Sequence, residues 1–127
     1  MIRSVAINTG KYLKNEVADF NDSNLFILSE IPEDILNKKQ FPLARIDDLQ
    51  TVPETYASNQ KFTEISGCQI NVWVETNQEL ENLKNQIEEV LSTHQIECFF
   101  IQSDFDNEYQ VHRLIMRCQK INYLRRI

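Results

Sequence analysis

The sequence has 127 residues, of which 42% are hydrophobic and 25% are charged, and these values are typical of one globular domain. No apolar run approaches the roughly 18 residues that cross a bilayer, so we expect no membrane partner. The formal net charge of −6 argues against nucleic acid as the main ligand, because a protein that binds phosphates must neutralise them. The first residues lack a sustained apolar core followed by a small-residue cleavage site, so we predict residence in the cytosol.

The N-terminal third predicts one helix, one strand and a polar connection. Apolar residues at helical spacing predict a helix over residues 2–17, although Gly10 costs about 1 kcal/mol relative to alanine. Residues 25–28 are a short apolar run between polar neighbours, which predicts a buried strand that Pro32 ends. Residues 33–40 predict a polar loop with one helical turn.

The next stretch predicts a short strand followed by a long loop. Pro42 indicates a strand start or a sheet edge in residues 41–46, and a pair of aspartates ends that strand. Residues 49–60 show little periodicity and contain Pro53. A loop of this length inside a compact domain is usually functional or mobile, so we predict one of these roles for it.

The clearest strand in the sequence follows this loop. It begins as early as Lys61, and Gly67 predicts a bulge or bend within it. Beyond the glycine it alternates between the apolar set Cys68, Ile70, Val72 and Val74 and the opposite set Gln69, Asn71, Trp73 and Glu75. Because neighbouring residues point to opposite faces, we predict that Trp73 lies on the face away from the covering helix. Either the helix over residues 2–17 or the long loop packs on it within the subunit, or a neighbouring subunit covers it.

A helix begins directly after this strand. Residues 76–79 read Thr-Asn-Gln-Glu, which is a capping box and predicts a helix start at Thr76. One apolar stripe on this helix consists of Leu80, Leu83, Ile87, Val90 and Leu91. The helix must therefore pack on a sheet or on another helix.

The C-terminal part predicts two strands joined by an acidic turn. Residues 96–101 are apolar enough for an interior strand, reached by a right-handed crossover and parallel to the central strand. Residues 104–108 predict the turn, and residues 109–123 predict a long strand that pairs antiparallel with a neighbour. The sequence thus predicts one α+β domain over residues 1–127, with a mixed, mostly antiparallel sheet of about four or five strands and two helices packed on it.

Signals for catalysis, cofactors and metals are scarce. With only two glycines the chain cannot build a phosphate-binding loop or a dinucleotide fingerprint, so we predict no cofactor. Cys68, Cys98 and Cys118 are predicted to be reduced core residues, because structural zinc sites usually draw paired ligands from short loops. A zinc site that recruits His94 and His112 is the alternative.

The acidic turn contains residue types that can carry chemistry. Asp104, Asp106, Asn107 and Glu108 resemble part of a divalent-cation site, but the glycine and the distal glutamate of a calcium loop are missing. His112 with one of these carboxylates and a serine would suggest a triad, yet no nucleophile-elbow pattern places the serine. We therefore favour a solvated turn and predict that the protein is not an enzyme.

Charge is unevenly distributed along the chain. Acidic residues gather in residues 30–34, 75–89 and 104–108. The C-terminal segment is basic and contains Arg113, Arg117, Lys120, Arg125 and Arg126. A protein with oppositely charged regions can dock on copies of itself, although two solvated surfaces without a partner are the simpler interpretation.

Four short motifs occur in a fixed order along the chain. They are Phe41-Pro42-x-x-Arg45-Ile46, Val52-Pro53, Ser58-Asn59 and Gln69-Ile70-Asn71-Val72-Trp73. Together with the amphipathic helix and the long final strand that follow, they resemble the small tail-terminator (tail-completion) proteins of long-tailed bacteriophages. The resemblance spans residues 41–123, and the preceding residues contain no matching motif, which leaves open another head–tail joining role.

The resemblance implies a structural virion protein without enzyme chemistry. Such proteins form a closed ring, commonly a homo-hexamer, at the head-proximal end of the tail tube, where the ring ends tube polymerisation and joins the tail to the head. The implied partners are further copies of the chain, the tail tube protein and the head–tail connector protein. The protein would be located in the host cytoplasm during assembly and then in the virion tail. Genome DNA would pass through the lumen without specific binding, which an excess of carboxylates permits.

A closed ring needs an interface whose two halves are different surfaces of one subunit. The acidic helix and the basic final strand are the candidates for these halves. The suspected interface residues are Trp73, Arg45, Arg113, Arg117, Glu81 and Glu88. Two other classes stay open, namely a small ferredoxin-like binding or regulatory domain and a metal-dependent nuclease.

Overall fold

The computed structural model describes residues 4–37, 40–57 and 60–123. The elements in chain order are α1 (Val5–Glu16), β1 (Leu25–Ile27), α2 (Glu33–Asn37), β2 (Leu43–Ala57), β3 (Gln60–Val74), α3 (Asn77–Thr93), β4 (Glu97–Asp106) and β5 (Val111–Tyr123). The five strands form one sheet in the order β1-β2-β3-β5-β4, in which β1 and β2 are parallel and the other pairs are antiparallel. The predicted α+β fold with a mixed, mostly antiparallel sheet is confirmed. The third helix, α2, falls where one helical turn was predicted.

Two helices, α1 and α3, cover one face of the sheet. The buried cluster under them includes Ile70 and Val72 of β3, Leu114 and Met116 of β5, and the four α3 residues Leu80, Leu83, Ile87 and Leu91. Burying the four α3 side chains contributes about 6–12 kcal/mol before entropy is subtracted. None of the helices in the described ranges is long and apolar enough to cross a membrane.

Helix α1 begins at Val5, and the residues before Ser4 lie outside the described part of the chain. The Ser4 hydroxyl caps the helix, because it accepts a hydrogen bond from the backbone amide of Ile7 at 3.2 Å. Gly10 faces β1 so closely that an added Cβ would lie 2.7 Å from Cγ1 of Ile27. The glycine therefore weakens the helix but allows it to approach the sheet.

The predicted end of β2 and the predicted loop over residues 49–60 are wrong, because β2 continues to Ala57 and β3 begins at Gln60. Both aspartates that were expected to end the strand have partners within the fold. Asp47 pairs with Arg45 of the same strand, and Asp48 accepts a hydrogen bond from the Ser4 hydroxyl at 2.9 Å. Residues 58–59, also part of the predicted loop, lie outside the described residues.

Irregular pairing explains why the β2 sequence lacks a clean alternation. The β2–β3 register shifts between Leu49 and Val52 and again on either side of Thr55, close to Pro53. A bulge predicted at Gly67 of β3 is instead an extra residue in β2, next to the Leu49–Gly67 pair. Gly67 itself permits a close approach, because an added Cβ would lie 3.0 Å from the Cys118 carbonyl oxygen.

The predicted capping box is present in part. The Thr76 hydroxyl accepts a hydrogen bond from the backbone amide of Glu79 at 3.2 Å and donates one to the Glu79 carboxylate at 3.1 Å. Helix α3 ends at Thr93 with His94 as its C-cap. Val90, predicted on the apolar stripe, is only partly buried.

The position of β4 differs from the prediction. Strand β4 lies at the sheet edge, not in its interior, because β5 pairs with both β3 and β4. Strands β3 and β4 are both antiparallel to β5 and are therefore parallel to each other. The predicted direction of β4 is right, but the prediction that β4 lies beside β3 is wrong. A short turn between β4 and β5 makes their pairing local, which places β5 between the two strands. The predicted turn also begins later, because Asp104 and Phe105 belong to β4.

Candidate subunit interface

Four of the six suspected interface residues share the sheet face that α1 and α3 leave uncovered. Trp73 of β3 pairs with Leu43 of β2 and with Arg113 of β5. Arg45 and Arg117 lie on the same face, in rows that pass through Asn71 and Gln69 of β3. We call the surface formed by Trp73, Arg45, Arg113 and Arg117 the open face. The prediction that Trp73 lies opposite the helix-covered residues is confirmed, and the alternative in which the N-terminal helix covers Trp73 is wrong, because α1 packs on the other face.

Arg113 has a carboxylate partner on the neighbouring strand. Its guanidinium donates from Nε to Oδ1 of Asp104 at 3.0 Å and from Nη2 to Oδ2 at 2.5 Å. These hydrogen bonds are the main reason that the pKa of the Asp104 carboxyl lies below its ordinary value. The pair is partly exposed, so its two-point geometry orients Arg113 more than it stabilises the fold.

Arg45 and Arg117 differ in their partners. Arg45 contacts Oδ2 of Asp47 at 3.0 Å through Nε. Arg117 donates to the Gln69 side-chain oxygen at 3.1 Å, and its guanidinium carbon lies 5.1 Å from the centre of the Phe100 ring. Among the described residues no carboxylate contacts Arg117. It is therefore the open-face cation best placed to meet a carboxylate of another molecule.

Trp73 lies in a partly buried position on the open face. Its strand neighbour Leu43 is only 2% exposed although it lies outside the helix-covered cluster. The indole is therefore neither a core side chain nor a free surface side chain. Large aromatic residues of this intermediate kind are frequent anchors of protein interfaces.

The β4 edge exposes a group of large apolar side chains. Phe99 is 49% exposed, Phe100 and Ile101 are each 37% exposed, and Phe105 is 45% exposed. This surface was not predicted from the sequence, because an apolar run predicts an interior strand as well as an edge strand. The short turn between β4 and the long alternating strand β5 was the signal in the sequence that β4 lies at the sheet edge.

The remaining two suspected residues lie on α3, and Glu88 is the one beside β4. Glu88 lines a cleft of about 440 Å³ together with Cys98 and Glu97 of β4. Glu81 lies seven residues earlier, two helical turns away on the same side of α3. It forms an ion pair with Lys84 at 3.6 Å. We call Phe99, Ile101, Phe105, Glu81 and Glu88 together the β4 edge surface.

The six suspected residues thus belong to two surfaces rather than one. The open face contains the tryptophan and the arginines, and the β4 edge surface contains the glutamates. Phe100 lies between them, because it belongs to β4 and contacts Arg117. A subunit interface that uses both surfaces must join different parts of two neighbouring copies.

The aspartates of the acidic turn have structural partners within the fold. Asp104 holds Arg113, and Oδ1 of Asp106 accepts from the backbone amides of Glu108 and Tyr109 at 2.9 and 3.2 Å. This turn geometry favours the interpretation of a solvated turn over that of a cation site. No three His, Cys, Asp or Glu side chains in the described ranges are grouped so that they could hold a metal ion.

The two histidines of the alternative zinc site have aromatic neighbours. His94 stacks on Tyr12 with ring centres 3.6 Å apart, and its Nε2 lies 2.5 Å from the Glu16 carboxylate. His112 meets the edge of Phe105 with ring centres 5.2 Å apart. The stacked rings of His94 and Tyr12 join the C-terminal end of α3 to α1, and the contact between His112 and Phe105 lies between β5 and β4.

The features that bear on function are the two surfaces described above and the resemblance carried by the sequence motifs. No protein-family model matches the chain, and no curated protein sequence matches it.

Proposed function

We propose that this chain is a tail-terminator-like structural protein, which forms a ring at the head-proximal end of a bacteriophage tail tube, ends tube polymerisation and joins tail to head. The observation that carries the proposal is the pair of unlike surfaces on one sheet. A closed ring requires such a pair, because each subunit offers one surface to the neighbour on its left and the other to the neighbour on its right.

The chemistry of the two surfaces is complementary. Arg117 on the open face has no carboxylate contact among the described residues, and the β4 edge surface offers the Glu88 carboxylate. The Glu81 carboxylate on the same surface also contacts Lys84. Trp73 and the exposed phenylalanines of β4 provide apolar area for a contact that excludes water around these charges. We propose that the open face of one copy meets the β4 edge surface of the next.

The edge position of β4 supports the same arrangement. An edge strand carries backbone amides and carbonyls that a further chain can pair with, and this strand is ten residues long. Natural proteins commonly protect such edges with charges or cover them. A neighbouring subunit in a ring would provide that cover and would bury the exposed apolar residues.

The ring would have three further contacts. One of its ends would meet the tail tube protein, the other would meet the head–tail connector, and genome DNA would pass through the lumen. The chain carries a formal net charge of −6, which would limit adhesion of DNA phosphates to a lumen lined by carboxylates. We expect six subunits, and neither catalysis nor a cofactor has a part in this function.

Tube length tests the proposal. Tail tube protein is assembled with and without the purified chain, and tube lengths are measured by electron microscopy. We expect shorter and more uniform tubes with the wild-type chain, and long, variable tubes with Arg117→Glu. Lys11→Glu is the matched control, because it makes the same charge change at an exposed position of α1 and should leave tube termination intact. Equal tube lengths with and without the wild-type chain would refute the terminator function.

A small binding domain is the second candidate, and the exposed β4 edge is the observation that favours it. Such a domain would add a strand of a foreign protein to β4 without forming a ring. Native mass spectrometry at rising protein concentration separates the two candidates. A ring-forming protein gives a discrete multimer at high concentration or in the presence of tube protein, and a binding domain remains monomeric in both.

A further inference from the structure

Three cysteines from distant parts of the sequence occupy one row across the sheet. Cys68 of β3 and Cys98 of β4 both pair directly with Cys118 of β5. The Cys98 and Cys118 sulfurs are 3.1 Å apart, and the Cys68 sulfur lies 3.6 Å from the Thr9 hydroxyl oxygen. All three are free thiols. Each cysteine was predicted in a strand, but their alignment could not be predicted from the sequence, because it depends on the strand order.

The three thiols differ in access to solvent. Cys68 and Cys118 are each 0% exposed under the helices. Cys98 is partly exposed and lines the cleft of about 440 Å³ between α3 and the start of β4. A small molecule that enters this cleft contacts Cys98, and the Cys118 sulfur lies 3.1 Å from the Cys98 sulfur.

The local backbone favours contact between Cys98 and Cys118. The β4–β5 register shifts between Cys98 and Phe100, so Phe99 is an extra residue immediately after Cys98. Such bulges redirect neighbouring side chains. Directly opposite residues on antiparallel strands have Cα atoms about 4.5–5.5 Å apart, which is within the range that a disulfide spans.

The electrostatic environment distinguishes the two sulfurs. A hydrogen bond from the Cys118 thiol lowers the pKa of Cys98, against the opposing effects of partial burial and of the nearby Glu88 carboxylate. Hydrogen bonding to the Cys68 and Cys98 thiols, together with burial, raises the pKa of Cys118. Since the thiolate is the nucleophile, the accessible Cys98 is the attacking group and the buried Cys118 is the second to react.

We propose that Cys98 and Cys118 form a redox-active dithiol that a small-molecule disulfide oxidises within the cleft beside α3. The Cys98 thiolate attacks one sulfur of the small disulfide, which forms a mixed disulfide and releases one thiolate. The Cys118 sulfur then attacks the Cys98 sulfur, and the second small thiolate leaves and takes up the Cys118 proton. Two electrons pass from the protein sulfurs to the small disulfide, and a cross-strand disulfide joins β4 to β5.

Glutathione disulfide is a suitable probe. The reduced full-length chain is freed of reductant, incubated with glutathione disulfide and analysed by intact mass and by peptide mapping. We expect the wild-type chain to lose two hydrogen atoms, to carry a Cys98–Cys118 link and to retain Cys68 as a free thiol. Cys118→Ser should trap one glutathione on Cys98, because no second thiol can release it.

Two further variants serve as matched controls. Cys98→Ser should leave the folded chain unreacted over the same time, and Cys68→Ser should still form the Cys98–Cys118 link. Wild-type protein that keeps glutathione on Cys98, stays fully reduced or forms a Cys68–Cys118 link would overturn the proposal. Because the wild-type mapping alone gives a decisive result, the test does not depend on the folding of any variant. The incubation uses dilute, monomeric protein, because a neighbouring subunit on the β4 edge surface would cover the cleft that Glu88 and Cys98 line.

Discussion

The two faces of the sheet differ in residue composition and in burial. The covered face is aliphatic, and Ile70, Val72 and Val74 on β3 are each 0% exposed beneath the helices. The open face is built from Trp73, three arginines and their partners, none of which belongs to the buried cluster. Burial on the first face stabilises the fold, and the second keeps polar and aromatic groups available for contact. Substitutions on the two faces should therefore separate stability from assembly.

The largest expected effect lies on the covered face. Ile70→Ala should lower the free energy of unfolding by about 2–5 kcal/mol, because it leaves a cavity under the helices. Its control is Asn71→Ala, one residue along on the open face, which should change the free energy of unfolding by only about 0.5 kcal/mol. Urea denaturation of the two variants checks the difference. Similar losses in both would mean that the open face is also part of the stabilising core.

Trp73→Ala should have an intermediate effect on stability. The indole is partly buried beside Leu43, so we expect a loss of about 1–2 kcal/mol in the free energy of unfolding, less than that for Ile70→Ala. The variant should remain folded and lose the ability to shorten tail tubes. Thermal melting of the monomer and tube-length measurement are made on the same preparation. A melt as low as that of Ile70→Ala would assign Trp73 to the core, and intact tube capping would remove it from the interface.

The smallest expected stability effect concerns the Asp104–Arg113 pair. The folded state holds the Asp104 pKa below its unfolded value, so the pair stabilises the fold above the unfolded pKa and loses this effect as pH falls through the folded pKa. Because the pair is partly exposed, Asp104→Asn should cost only a few tenths of a kcal/mol at neutral pH. Urea denaturation at neutral and acidic pH checks this sign. A difference between variant and wild type that grows on acidification would contradict it.

The sequence predicted the covered face far better than the other surfaces. Alternation on β3 and the stripe on α3 are local patterns, and both correspond to the buried cluster. The length of β2 escaped prediction, because Asp48 accepts a hydrogen bond from the distant Ser4 hydroxyl and because bulges disturb the alternation near Pro53. A local pattern cannot show which distant group will satisfy a charge in a strand.

The two proposed surfaces were predictable only in part. The position of Trp73 on the open face followed from alternation alone. The exposed β4 edge and the row of three cysteines depend on β5 lying between β3 and β4. Strand order is a property of the whole chain, so the residues that it brings together could not be paired from their spacing.

The most direct test of the account mixes two variants that are each defective in one surface. Ile101→Glu places a charge on the β4 edge surface, and Arg117→Glu reverses the charge on the open face. Each variant alone should remain monomeric in a crosslinking series at rising concentration, and the wild-type chain should give a ladder that ends at one closed multimer. An equal mixture of the variants retains one intact surface of each kind, so it should give dimers and nothing larger. A wild-type ladder from either variant alone, or a mixture that stays monomeric, would contradict the proposal that the open face of one subunit meets the β4 edge surface of the next.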